Sequence, residues 1–243
     1  MKFQGTSVTI NYEKIDGMKK AYYNNEHILK EFFNEATVLP VPDEAPLDIP
    51  RIIIKTLGEH AQLTITPVAS TFEVRYDGDY ERNWRLCSEY IMKRMEKVFE
   101  FLNLFTGNSY KYIGLVTNVL CDEIKSDGAV KISEVLLNTN NIKDIYDLNI
   151  RYTFVEDKKL FVNIMLQNAR MFKNDINVNI PGSLCESDQI AESIGVVVDI
   201  NDRYGFNNNR DYKSSSSMLK NLSDCMTNVM NGKLQDLIYN GVY

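Results

Sequence analysis

Histidine, paired cysteines and long apolar runs are scarce in this chain, and their scarcity excludes several classes of protein. The 243 residues include two histidines and four cysteines, with no Cys-x-x-Cys pair. This spacing favours neither a structural zinc site nor a disulfide framework. No segment approaches the ~18 apolar residues of a membrane-spanning helix, and the first residues lack the apolar core of a signal peptide. We therefore expect a cytoplasmic protein without a metal site and without a membrane partner.

Motifs for nucleotide binding and nucleophilic catalysis are also missing. The sequence contains no Walker A loop, no Gly-x-Gly-x-x-Gly loop and no Gly-x-Ser-x-Gly elbow. We therefore expect no cofactor. The formal net charge is -6, and lysine and arginine are scattered along the chain. Because phosphate contacts usually require a basic face, this charge disfavours a nucleic-acid partner.

Apolar residues at steps of three and four predict three long helices. The clearest occupies 81–105, and Gly107 is well placed to end it. Another fills 219–240, after a serine run suited to capping its first turn. The remaining one covers 16–36. Its main face carries the following residues: Met18, Tyr22, Leu29, Phe33 and Ala36.

Short alternating segments predict strands between these helices, and the elements have the same order in two halves. Residues 7–106 are predicted as strand, helix, three strands and long helix, and 110–240 repeat that order with a shorter first helix. The order predicts an α+β fold with antiparallel sheets, each backed by a long helix. We expect one compact body of two units, 1–107 and 108–243. A duplicated βαβββα unit would explain the order, and chance agreement is the alternative.

The predicted helix 16–36 has more apolar surface than one sheet can cover. Tyr23, Ile28 and Phe32 lie one residue-step, about 100°, to the side of its main face. Either the proline-rich segment 38–50 or a second copy of the protein would cover this second side. We predict a twofold homodimer, the commonest arrangement of soluble oligomers, with these three residues at the interface.

An Asp/Asn-rich stretch, 199–217, is the part of the chain that most resembles a metal-binding loop. Read as an EF-hand loop from Asp199, it has Asn201 at position 3, but Arg203 at position 5 and no glycine at position 6. The calcium motif therefore fails. We predict a structural or partner-binding loop, in which Asp199, Asn201, Asp202 and Arg203 are the candidate binding residues. A second long polar connector, 173–192, is of a length that is usually functional or mobile.

The central region resembles a loosely defined group of uncharacterised bacterial proteins of about this length, which are sporadically distributed among genomes. The resemblance covers 70–120. It consists of a strand, an aromatic-rich turn, Trp84 opening a long helix, and a strand that begins near Tyr110. It carries no functional residue over to this chain. Sporadic distribution is compatible with a mobile or defence-associated bacterial or phage gene.

These observations predict a non-catalytic binding or assembly protein whose partner is another protein or a second copy of itself. Two alternatives remain open. A carboxylate-based, metal-dependent hydrolase would use Asp199 and Asp202 with Glu186 or Asp188. A holdase-like chaperone would use exposed apolar and aromatic side chains.

Overall fold

The computed structural model describes residues 1–124, 128–137, 145–173 and 186–243. Nine strands lie in this part of the chain: β1 (Lys2–Asn11), β2 (Thr37–Val38), β3 (Ile52–Lys55), β4 (Ala61–Ile65), β5 (Ala69–Arg75), β6 (Tyr112–Cys121), β7 (Asn149–Glu156), β8 (Leu160–Phe172) and β9 (Gln189–Asn201). The α-helices of the same part are α1 (Met18–Asn25), α2 (Trp84–Thr106), α3 (Gly128–Leu137), α4 (Arg203–Asn208), α5 (Met218–Asn228) and α6 (Leu234–Asn240).

All described strands belong to one antiparallel sheet, in the order β2-β3-β4-β5-β1-β6-β9-β8-β7. The predicted α+β class is confirmed, but the strands of the two halves form one continuous sheet instead of two. The first strand of each half, β1 or β6, lies at the centre, and the two pair with each other. Each is flanked by the last strand of its own half, β5 or β9. Read outward from the centre, β1-β5-β4-β3 and β6-β9-β8-β7 therefore follow the same order, and the two-residue strand β2 is an addition at the edge of the first half.

Alternation along the central strands separates a core face from an open face. Val8, Ile10, Leu115 and Val198 are buried and face the helices, because successive side chains of a strand point to opposite sides of the sheet. Helix α5 packs on β6 and β9, while α3 packs on β8 and β9. Most residues that alternate with these buried side chains along the strands, and so point to the opposite face, are half-buried or exposed. α3 and α5 therefore lie against the core face of β6, β8 and β9, whereas α4 contacts the ends of β6 and β8 through rings on the opposite face.

Helix α2 agrees with its prediction. Asn83 caps its first turn by accepting a hydrogen bond from the Leu86 N–H at 3.3 Å. Gly107 ends it in the left-handed conformation with φ 58°, and its N–H donates to the Asn103 carbonyl. A capping asparagine at the start and a left-handed glycine at the end are common helix boundaries. Both boundary signals come from residues next to the helix in the sequence. The helix could therefore be located without knowledge of the tertiary structure.

The first predicted helix, 16–36, is wrong in length. α1 ends at Asn25, and a 3₁₀ turn follows from Glu26 to Ile28. The Asn25 side chain donates to the carbonyl of Ala21 at 2.9 Å, a local bond that competes with helix continuation. Phe33 then forms an isolated β-bridge with Thr56. Because the helix ends at Asn25, the residues of the two predicted faces of 16–36 do not lie on one continuous helix.

The last predicted helix, 219–240, is interrupted. A π-helical segment, Val229–Lys233, separates α5 from α6. The expected serine cap is also absent, since the Ser217 side chain makes no capping hydrogen bond. The neighbouring Ser216 N–H instead donates to Oδ1 of Asn108 at 2.8 Å.

The described part of the connector 173–192 is more ordered than the sequence predicts. β8 runs to Phe172, and β9 begins at Gln189 instead of near Ser193. β8 pairs with β9 from Phe161 to Phe172, so the pairing continues into the extended part of both strands. Residues 174–185 of the predicted connector lie outside the described residues.

Candidate functional site on the open sheet face

The open face combines polar and apolar side chains at the centre of the sheet. Val116 on β6 lies beside Asp199 on β9, and Val197 on β9 lies beside Met165 on β8. All four side chains are half-buried. The central residues of this surface, called the open face below, are Ser7, Thr9, Val116, Asn163, Met165, Val197, Asp199 and Asn201. Asn163 and Asn201 are buried, and the other six are half-buried.

A row of hydrogen bonds orders the polar side chains of this face. Oδ1 of Asp199 accepts from the Asn201 amide at 2.9 Å, and Oδ2 accepts from the Asn163 amide at 3.1 Å. Oδ1 of Asn163 accepts in turn from Arg151 and from the Thr153 hydroxyl, both at 2.9 Å. The row crosses β9, β8 and β7, so three strands hold it in place. It presents donors and acceptors from fixed positions.

Asp202 has a different role from its neighbour Asp199. Its side chain is fully buried. Oδ1 accepts from the Ile113 N–H at 2.6 Å, and Oδ2 accepts from the Tyr212 hydroxyl at 2.7 Å. Burial and this hydrogen bond raise the pKa of Tyr212 well above its ordinary value. Asp202 thus ties the start of the 199–217 loop to β6 and to the later part of the same loop.

Aromatic rings border the open face at the end where β9 passes into α4. Phe206 of α4 lies against Tyr112 with ring centroids 5.4 Å apart, and Tyr204 lies against Phe161 at 5.3 Å. The guanidinium of Arg203 is 5.0 Å from the Tyr112 ring centroid, in cation–π contact. Arg203 and Phe206 are exposed, so this aromatic rim is accessible beside the polar row.

The structure does not bring the two predicted groups of binding residues together. Tyr23, Ile28 and Phe32 belong to the helix layer near α1 and α2, not to the open face. Tyr23 is 60% exposed, whereas Ile28 and Phe32 pack partly against the core. The Phe32 ring lies 5.1 Å from the Arg94 guanidinium of α2. Much of the predicted second apolar side is therefore covered by the same chain.

Sequence reasoning missed several residues of the open face. Asn163, Arg151 and Thr153 were not predicted, although the register places all three on the same face of β7 and β8. Arg151 and Thr153 are exposed there, whereas Asn163 is buried. Alternation along a strand is a signal for exposure, not for hydrogen bonding. The short turn between β7 and β8 predicts a hairpin, and their pairing confirms it. The grouping with Asp199 also depends on β9 lying next to β8, which the long connector between these two strands does not reveal.

Metal-binding clusters and membrane-spanning helices are both absent from the described residues. No group of three or more His, Cys, Asp or Glu side chains among them could hold a metal ion, although the side chain of Glu186 is not described. Within the same residues, no helix has the length and apolar character to cross a bilayer. Neither a protein-family model nor a curated protein matches the chain.

Proposed function

We propose that the protein is a non-catalytic binding or assembly protein that engages a partner protein through the open face. The observation that carries this proposal is the ordered polar row of the open face, which lies beside the half-buried apolar residues Val116, Met165 and Val197. A mixture of apolar area and hydrogen-bonding groups is typical of non-obligate protein interfaces.

The order of the polar row favours binding. Asn163 and Asp199 are held by hydrogen bonds to each other and to their neighbours. Side chains that are already fixed lose less conformational entropy when a partner binds. The row also contains both charge signs, Arg151 and Asp199, which suits a protein surface better than a uniformly charged polymer.

The aromatic rim supplies residue types that contribute strongly to protein interfaces. Tyrosine and arginine are enriched among the residues that dominate binding energy. Tyr112 and Arg203 are in contact here, and Phe206 packs beside them. We expect this end of the open face to contribute the largest share of the affinity.

Quantitative affinity capture from the native host tests the proposal. Val197→Arg places a charge at the centre of the open face, and Leu104→Arg is the matched control because Leu104 is an exposed residue of α2. We expect a stoichiometric partner to be lost with Val197→Arg and retained with Leu104→Arg. Identical partner sets for the wild type and both variants would contradict the open face as the binding surface.

We also retain self-association as a proposal. Tyr23 is the most exposed of the three residues predicted for a dimer interface. Light scattering distinguishes a dimer from a monomer of 28.0 kDa. If a dimer forms through α1, Tyr23→Glu should dissociate it and Val197→Arg should not. A mass of 28.0 kDa at all concentrations would end the dimer proposal.

Metal-binding calorimetry and an aggregation assay test the two alternative functions, a metal-dependent hydrolase and a holdase-like chaperone. For a metal-dependent hydrolase, calorimetry should detect stoichiometric Mg²⁺ or Mn²⁺ binding that Asp199→Ala abolishes. The Asp199 and Asp202 carboxylates already accept hydrogen bonds from the protein, which disfavours this alternative. For a holdase-like chaperone, substoichiometric protein should suppress aggregation of a model client.

We further propose that the two halves, 1–107 and 108–243, derive from one duplicated βαβββα unit. Apart from the short elements β2 and α4, the halves have a similar order of elements and a similar strand order outward from the β1–β6 pair, which supports this proposal. Sequence profiles built separately from relatives of each half should detect the other half. Profiles that never detect each other, despite deep sampling, would favour chance agreement.

A further inference from the structure

Three tyrosines line a small cavity beyond the end of β5, away from the open face. Tyr76, Tyr80 and Tyr90 share its wall with His60 and Asp77. The cavity measures about 160 Å³, well below the range typical of pockets for drug-sized ligands. It therefore suits a compact chemical group, not an extended molecule.

The rings form walls in two orientations. Tyr76 and Tyr80 are nearly parallel, with an interplanar angle of 8° and centroids 6.3 Å apart. Tyr90 stands at 80° to Tyr80, with centroids 5.7 Å apart. Tyr76 is buried and Tyr80 is 36% exposed. The cavity thus has an aromatic interior and a side that solvent can reach.

This cluster already binds a cation within the protein. The Arg94 guanidinium carbon lies 3.3 Å from the Tyr90 ring centroid, close enough for a strong cation–π contact. Arg94 does not line the cavity. The rings have negatively polarised faces, so a second cation is favoured wherever a face remains free.

Charges near the cavity also favour a cationic ligand. Asp77 lines the wall, and its carboxylate is 3.9 Å from Nδ1 of His60. Asp79 follows two residues later, in the turn that carries Tyr80. Arg75 also contributes to the lining, but alternation along β5 directs its side chain to the face of the sheet opposite Val74 and Tyr76.

We propose that this cavity binds a methylated ammonium group, as found in choline and in trimethyllysine. Such a group is bulky and cationic and has no N–H to donate, so aromatic faces suit it better than hydrogen-bond acceptors do. This binding site is separate from the open face and does not depend on the function proposed for that surface.

A pair of isosteric ligands tests the charge requirement on the wild-type protein. Choline and its neutral analogue 3,3-dimethylbutan-1-ol have the same shape, but only choline carries the charge. NMR titration should show saturable binding of choline, with shifts confined to residues near the tyrosines, and at least tenfold weaker binding of the neutral analogue. Equal affinity for the two ligands, or no binding of choline, would overturn the proposal.

Variants of Tyr80 locate the site. Tyr80→Leu removes one aromatic wall and should weaken choline binding about 5- to 30-fold, whereas Tyr80→Phe should bind as the wild type does. Tyr23→Leu is the matched control, because Tyr23 is an exposed tyrosine outside the cavity. Undiminished binding by a folded Tyr80→Leu variant, checked by its thermal unfolding midpoint, would contradict the assignment.

A second titration identifies the source of the group. Free trimethyllysine is compared with choline and with unmethylated lysine. Tighter binding of trimethyllysine would identify a methylated protein as the source, and tighter binding of choline a small molecule or head group. If lysine binds as tightly as trimethyllysine, the site recognises charge alone, and the proposal fails.

Discussion

Asp199 and Asp202 lie three positions apart, but their surroundings give them different roles. Asp202 is buried and satisfies the Ile113 N–H and the Tyr212 hydroxyl. Asp199 is half-buried on the open face and bonds to two asparagine amides. Residue type and position in the sequence do not distinguish these roles; burial does.

We predict that Asp202→Ala lowers the free energy of unfolding by about 2–5 kcal/mol, because it leaves the buried Ile113 N–H and the part-buried Tyr212 hydroxyl without their acceptor. Asp199→Ala should cost about 1 kcal/mol, since its hydrogen bonds are part-buried and water can accept from the Asn163 and Asn201 amides in its place. Urea unfolding of both variants measures the difference. Equal losses would show that Asp202 does not anchor the loop.

Glu156 accepts hydrogen bonds from three side chains near the end of β7. The donors are the Cys225 thiol at 3.2 Å, the Lys233 ammonium at 3.2 Å and the Tyr243 hydroxyl at 3.4 Å. Burial acts to raise the pKa of the carboxyl, but these hydrogen bonds outweigh it and lower the pKa. Burial, followed by the bond to Glu156, raises the pKa of Cys225 to about 12, so the thiol stays protonated and can donate.

The lowered pKa of Glu156 predicts a stability change on the acid side. The stabilisation is fully present above the ordinary pKa of 4.5 and is lost as the pH falls through the lower folded-state pKa. Glu156→Gln should therefore be less stable than the wild type at pH 7, and the difference should shrink below pH 4.5. Chemical unfolding across this range measures it. A difference independent of pH would contradict the ionised role of Glu156.

At the scale of the element, β1 departs from regular pairing next to Gly5. The register between β1 and β6 shifts between Phe3 and Gly5, a β-bulge. A Cβ atom at Gly5 would lie 2.6 Å from the Val74 carbonyl oxygen of β5. The backbones of β1 and β5 can approach this closely only because position 5 has no side chain.

We predict that Gly5→Ala destabilises the protein by about 1–3 kcal/mol, the range found for overpacked sites. Gly114→Ala is the matched control on the neighbouring strand, because its Cβ would meet only the Cβ of Asn201 at 3.6 Å. That variant should be neutral or slightly stabilised, since alanine loses less backbone entropy than glycine. Thermal unfolding of the pair tests the close contact. Similar losses in both would argue against it.

At the scale of the whole molecule, the β1–β6 pair joins the two halves through the centre of the sheet. Val8 pairs with Leu115 and Ile10 with Ile113, and all four side chains are buried. Separating the halves would turn both strands into exposed apolar edges. Such edges promote aggregation unless another strand covers them.

We therefore predict that fragments 1–107 and 108–243 do not fold alone but assemble when mixed. The cut falls between Gly107 and Asn108, which are exposed, so it removes no buried contact. Size exclusion and circular dichroism should show a 1:1 complex with native-like structure from two poorly structured fragments. A stable fold in either fragment alone would mean that the halves are independent domains.

The sequence by itself determined the features that depend on neighbouring residues. Helix α2 could be located from its apolar spacing and Gly107, and the core face from alternation in strands such as β1. The end of α1 was missed because the side-chain bond of Asn25 outweighed an apolar pattern that continued to Ala36.

Only the tertiary structure decided the single sheet, its strand order and the composition of the open face. The Asp202 carboxylate accepts a hydrogen bond from the N–H of Ile113, 89 positions earlier. The Asp199 carboxylate accepts one from the Asn163 amide on the neighbouring strand. Periodicity reports which side of an element is buried, but it does not report which element lies beside it. Those contacts form only when the chain closes long loops around the β1–β6 pair, and that pairing has no local signature in the sequence.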